Sequence, residues 1–196
     1  VSELSRIPLL LKIMEVCPIT DLDIEWLLTY LRSEILNNVS QLSGSKKTLA
    51  FQAAIASQCF TNEYIYNQTS EDKKILVDLE NTVHKNIADG TQPAPLVLAC
   101  LASYKALYDY SWCHLVALPD ELKQLEKSQI SDVKKEIVLR SEIPMLNKIT
   151  DDVSSKVRQQ YEENPYPRWV NLKLPLEAKP ISDIAKNINL KLSDKK

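Results

Sequence analysis

Ile24, Leu27, Leu28, Leu31, Ile35 and Val39 recur at intervals of 3, 1, 3, 4 and 4 residues. An α-helix puts such positions on one side, whereas a strand would scatter them over both faces. This stretch is therefore expected to be a long amphipathic helix with a stripe that must be covered by other elements. The same period returns through most of the first 115 residues. Leu9, Leu10, Ile13 and Met14 form a shorter stripe that starts at Pro8 and is stopped by Pro18. Ile75, Leu76, Leu79, Val83 and Ile87 form another, with Gly90 just past its end. Between about Thr48 and Asn62, apolar residues cover nearly the whole circumference, the pattern of a helix at the centre of a bundle. A fifth helix is expected from Pro95 to about Tyr108. Thr20, three residues before Asp23, and Ser70, followed by Glu71 and Asp72, are the expected caps of the second and fourth helices. Asp120 to Arg140 is heavily charged, and its thin stripe (Leu122, Leu125, Ile130, Val133, Ile137, Val138) reads as one or two exposed helices. The fold class expected is all-α, a bundle of five to seven helices.

Composition narrows the chemistry. Only 2 of 196 residues are glycine, Gly44 and Gly90, and they are far apart. Loops that cradle phosphates or dinucleotides need clustered glycines, because the backbone must approach the ligand closely. The net charge of -2 lacks the basic excess of a nucleic-acid binder. No apolar stretch approaches the ~20 residues that span a bilayer. Cys17, Cys59, Cys100 and Cys113 are widely spaced, with no C-x-x-C pair. They are read as reduced thiols of a cytoplasmic protein, most of them in the core. His84 and His114 have no partners at metal-ligand or nucleophile–base spacing. Tyr104, Tyr108, Tyr110 and Trp112 are read as core and rim packing at a helix end, with a partner-binding surface as the alternative.

The pattern changes after Asp151. Residues 1–150 are expected to form the bundle, and residues 151–196 a helix, an extended Pro-rich arm and a final short helix capped by Ser182. The later segment carries nine basic and seven acidic residues, the earlier one fifteen and nineteen. Asp151 or Asp152 can cap a helix from Val153 to Glu163. Beyond it, Asn164-Pro165-Tyr166-Pro167-Arg168-Trp169 cannot be helical, because each proline pushes its predecessor out of the α region. The prolines stiffen this arm, so docking it costs less entropy. Tyr161, Tyr166 and Trp169 offer flat apolar faces with a polar edge, and Arg158 and Arg168 offer bidentate donors. On residue chemistry alone, a linker pinned to the bundle by its aromatics is the simpler reading.

The string Val157 to Trp169 resembles the segment that precedes the catalytic domain in bacterial proteins joining helical or tetratricopeptide regions to a class I S-adenosylmethionine-dependent methyltransferase. The resemblance extends to Glu142-Ile143-Pro144, Asp151-Asp152-Val153-Ser154, Cys17-Pro18-Ile19-Thr20-Asp21 and Phe51-Gln52-Ala53 to Glu63-Tyr64. It covers about Leu9 to Leu192, and its Asn-Pro-Tyr-Pro-Arg-Trp core is its most specific part. The methyltransferase fold would follow the positions of Leu190 to Lys196, and no residue after Gly90 is glycine. The resemblance therefore implies that the cofactor, S-adenosylmethionine, belongs to a domain missing from this chain. It implies a non-catalytic helical region that recognises or positions substrate, with Tyr161, Asn164, Tyr166, Arg168 and Trp169 facing the catalytic cleft or docking it. The expected partners are that missing domain and a protein substrate. A protein-interaction module without enzymatic role is the competing expectation.

Overall fold

A computed structural model describes residues 3–144, 151–163 and 180. Among the described residues every regular element is helical, and the architecture is the expected all-α bundle. The extended arm expected after Glu163 and the short helix expected behind Ser182 lie outside the described residues.

Helix α1 (Pro8–Val16) follows a single 3-10 turn, Leu4–Arg6. Pro8 opens it, where a missing N–H costs nothing. Helix α2 (Leu22–Asn37) is capped by Asp21, not by Thr20 as the spacing suggested. The Asp21 Oδ1 accepts the Ile24 N–H at 3.0 Å, and a carboxylate is the better acceptor beside the positive end of a helix dipole. Helix α3 (Lys46–Thr61) starts at Ser45, whose Oγ accepts the Thr48 N–H. It is buried on nearly all sides, and α1 and α5 pack against it, as its all-round apolar surface predicts. Phe51, Ala54, Ile55 and Ala56 are fully enclosed.

Helix α4 (Ser70–Ala88) has its cap one residue earlier than expected, at Thr69. Thr69 and Asp72 form a reciprocal capping box, so Ser70 is the first helical residue. The box places the Thr69 and Asp72 side chains on the free N–H groups, which Ser70 could not do with a partner three residues on. At the other end Gly90 has a φ of 71°. The Gly90 N–H reaches Ile87 O and the Thr91 N–H reaches Asn86 O, the paired bonds of a Schellman motif.

Helix α5 (Pro95–Ala102) is shorter than the expected Pro95 to Tyr108. The reason is a side chain from another element. Gln129 donates to Ala102 O at 3.1 Å and accepts the Leu107 N–H at 3.0 Å. It thereby satisfies backbone groups that continued helix would have paired, and the chain turns into a 3-10 turn at Leu107–Asp109.

The charged stretch also departs from expectation. A 3-10 turn (Asp120–Leu122), helix α6 (Lys123–Glu126), a π turn (Lys127–Ser131) and helix α7 (Asp132–Glu142) run consecutively. Leu122, Leu125, Gln129 and Ile130 are buried, while Ile137, Val138 and Leu139 are exposed. One stripe was expected to serve the whole stretch. The π turn instead lets the first half join the core and leaves the second half uncovered. Helix α8 (Asp152–Glu163) is capped by Asp151, whose Oδ2 accepts the Ser154 N–H at 2.7 Å. That bond holds the Asp151 carboxyl below its ordinary range.

Candidate functional site

The interior is tied together by polar side chains that sequence periodicity did not single out. Arg32 is 1% exposed, on the buried side of α2. Its Nη1 donates to Ser103 O at 3.2 Å and to the Cys59 Sγ at 4.0 Å. Its Nη2 donates to Tyr66 O at 3.1 Å and Asn67 O at 2.7 Å. Its guanidinium lies 4.1 Å from the Tyr104 ring centre and 5.6 Å from that of Tyr66. A fixed planar fork can serve several carbonyls at once, which an ammonium cannot. The one sequence signal was its spacing, four residues from both Leu28 and Leu36 on the buried side.

Two glutamines act similarly. Gln129 also donates to Ala56 O, so it bridges α3, the end of α5 and the π turn. Gln58, with its amide nitrogen facing the carbonyls of Met14 (3.2 Å) and Cys17 (3.0 Å), accepts the Ile19 N–H at 2.9 Å. It thus holds the α1–α2 connection on α3. These are structural roles: apart from the Ala56 carbonyl inside α3, the backbone groups they answer lie at turns or helix ends without helical partners.

The thiols follow the same pattern. Cys59, Cys100 and Cys113 are buried and Cys17 is exposed, and all are free. Burial pushes the Cys59 thiol up to about 11, against the opposing pull of Arg32. Burial alone pushes Cys100 up to about 12. Both are protonated at neutral pH and unsuited to nucleophilic work. Tyr104, Tyr110 and Trp112 are buried, Tyr110 stacks on Trp112 at 4.5 Å, and Tyr108 is half-buried. This aromatic cluster packs as core and rim, as expected. His84 and His114 are exposed. Among the described residues no group of three His, Cys, Asp or Glu side chains could hold a metal ion, and no helix is long and apolar enough to cross a membrane.

The two glycines do not fit a cofactor cradle. A Cβ at Gly44 or Gly90 would meet nothing within 4 Å, so neither marks a close approach of backbone to a ligand. Gly90 is explained by its left-handed φ at the end of α4.

Besides the exposed apolar residues of α1 and α7, uncovered apolar rows lie on α8 and α2. On α8, Val153, Val157 and Tyr161 recur every four residues and are 69%, 45% and 63% exposed. Elsewhere on this helix, Glu162 pairs with Arg158 at 3.3 Å and with Arg140 of α7. Tyr161 is thus the one expected site residue placed by the structure, on an outward helix face. Asn164, Tyr166, Arg168 and Trp169 lie outside the described residues. On α2, Leu22, Trp26 and Tyr30 recur at the same spacing and are 79%, 71% and 51% exposed. Trp26 and Tyr30 stack with ring centres 6.0 Å apart and planes 8° from parallel. Sequence reasoning assigned α2 only its buried stripe and missed this second one. The signal was available in the residues Leu22, Trp26 and Tyr30 themselves, offset from the Ile24–Val39 stripe.

Compared with known family models, curated proteins and solved structures, the chain matches none.

Proposed function

We propose that this chain is a non-catalytic helical recognition and positioning region of a cytoplasmic methyltransferase-like protein. The methyl donor S-adenosylmethionine would bind in a domain outside the chain. The observation that carries the proposal is the exposed Val153–Val157–Tyr161 face of α8, which runs directly into the Asn164–Trp169 string. A solvated helix with an uncovered apolar ridge gains by docking, and the prolines behind it lower the entropic cost of doing so. The role is positioning: holding a substrate in near-attack geometry can supply large rate factors without a catalytic side chain. Tyr161 would open the docking surface, with Asn164, Tyr166, Arg168 and Trp169 continuing it.

The test compares this chain with the longest version of the gene product. Calorimetry should detect S-adenosylmethionine binding only to the longer protein. Tyr166→Ala or Trp169→Ala should cripple methyl transfer there with helix content unchanged. Unaltered turnover, or donor binding by the short chain itself, overturns the reading.

A second reading, a protein-interaction module without enzymatic role, is favoured by the α2 ridge. That ridge lies on an element the methyltransferase resemblance does not use for the cleft. Donor binding by neither protein would favour it.

A further inference from the structure

The outward i, i+4 row of α2 continues beyond its apolar residues. It reads Leu22, Trp26, Tyr30, Glu34 and Asn38. This row extends about 24 Å at 1.5 Å per residue. Leu22, Trp26 and Tyr30 form its apolar part, and the stacked rings of Trp26 and Tyr30 make a flat, pre-arranged platform. At the far end lies an open hollow of about 340 Å³ lined by Glu34, Ile35, Asn38, Gln41 and Leu42. Ile35 and Leu42 give it apolar walls, and Glu34 is exposed beside it. A ridge of this kind, with grooves on either side, is what a second helix packs against.

Along the segment that carries the row, every charge except the buried Arg32 is negative. Asp21, Asp23, Glu25 and Glu34 are acidic, and Asp21 already holds the cap. From Cys17 to Ser45 the only basic residue is Arg32, which is buried and committed to the carbonyls of Tyr66, Asn67 and Ser103. A second copy of this chain docking through the same face would bring carboxylates against carboxylates, which costs free energy. An anionic membrane surface would be repelled for the same reason.

We propose that the outer face of α2 is a docking site for a basic amphipathic helix of a partner protein. Its apolar stripe would cover Leu22, Trp26 and Tyr30, one apolar side chain would enter the hollow, and its Lys or Arg residues would meet Glu34 and the acids of the first turn. Exposed aromatic anchors carry most of the energy in such contacts, and the charges set orientation and partner choice. This docking is independent of the methyltransferase reading, because it uses neither α8 nor the segment behind it.

The experiment measures fluorescence anisotropy of a labelled Leu/Lys peptide of roughly five helical turns, patterned to present one apolar face. A matched peptide with every Lys replaced by Glu is the control. The full chain should bind the Lys peptide, increasingly as salt is lowered, and leave the Glu peptide free. Trp26→Ala should weaken binding at least about tenfold. Glu34→Lys should weaken it and admit the Glu peptide, and both variants should keep the parent circular dichroism because the side chains are exposed. The proposal fails if the Lys peptide does not bind, if the two peptides bind alike, or if Trp26→Ala leaves binding unchanged. It also fails if sedimentation shows a dimer that Trp26→Ala dissolves, which would make the occupant a second copy. Protection of Trp26 from hydroxyl-radical oxidation in the free chain would overturn it as well, since the chain would then cover its own ridge.

Discussion

The guanidinium of Arg32 lies 4.1 Å from the centre of the Tyr104 ring, so a charge from the second helix rests on an aromatic residue from the end of the fifth. The same group holds carbonyls at Ser103, Tyr66 and Asn67. One side chain therefore joins three chain segments that share no regular hydrogen bonding. Replacing Arg32 with Leu should cost about 3 kcal/mol, because buried carbonyls lose their donors. Arg32→Lys should still cost about 1–2 kcal/mol, since an ammonium cannot reproduce the fork. Urea titration reads both values, and a loss well below 1 kcal/mol for the Leu variant would show that the carbonyls find other partners.

Gln129 makes the sharper case, because each of its polar atoms is bonded to backbone. Gln129→Leu keeps the volume and removes every bond, leaving the Leu107 N–H and the carbonyls of Ala56 and Ala102 without it. The expected cost is about 2–4 kcal/mol. Hydrogen exchange at Leu107 should accelerate in step with the loss of global stability. Unchanged exchange at Leu107 would contradict its assigned bond.

The two glycines should respond in opposite directions. Gly90 has a φ of 71°, and a Cβ there would meet nothing within 4 Å, so the penalty of Gly90→Ala is conformational alone. It should destabilise by about 1 kcal/mol. Gly44 has equal room and no left-handed φ. Gly44→Ala should stabilise by about 0.4–1 kcal/mol, by narrowing the unfolded ensemble. Thermal melts of the two variants shifting in the same direction would refute this account.

Alkaline pH should destabilise the fold through its buried thiols and phenols. Burial raises Cys59 from 9.0 to about 11 and Cys100 from 9.0 to about 12. Tyr66 is raised from 10.0 to about 12, again chiefly by burial. Between each pair of values the unfolded chain has lost a proton that the folded chain retains. Stability is therefore full below pH 9 and falls as pH rises toward 11–12. Each group contributes a loss of about 1.4 kcal/mol for every pH step across its own interval. Cys100→Ala should lower stability modestly at neutral pH through its small cavity, yet make the alkaline decline shallower. Stability measured from pH 7 to 11 in parent and variant tests this, and parallel curves would count against it.

The bundle was legible in the sequence because helix period and the burial it demands are local properties. α1 and α3, the position of Gly90 and the cap at Asp151 follow from residues within a turn of one another. The caps at Asp21 and Thr69 were misread by one residue, because several neighbouring residues had acceptable chemistry and only geometry chose between them. Of the expected site residues, Tyr161 is placed on an exposed helix face. The rest of that site rests on resemblance, which carries no geometry.

The periodicity of apolar residues by itself determined that this chain is helical and which helix lies at the centre. Tertiary structure alone decided where α5 stops, which half of the charged stretch joins the core, and that Arg32, Gln58 and Gln129 are interior residues. The physical reason is that a buried polar side chain is stable only where distant backbone groups await it. Those groups, from Ala56 and Ala102 to Ser103 and Leu107, come within reach only after the helices have packed.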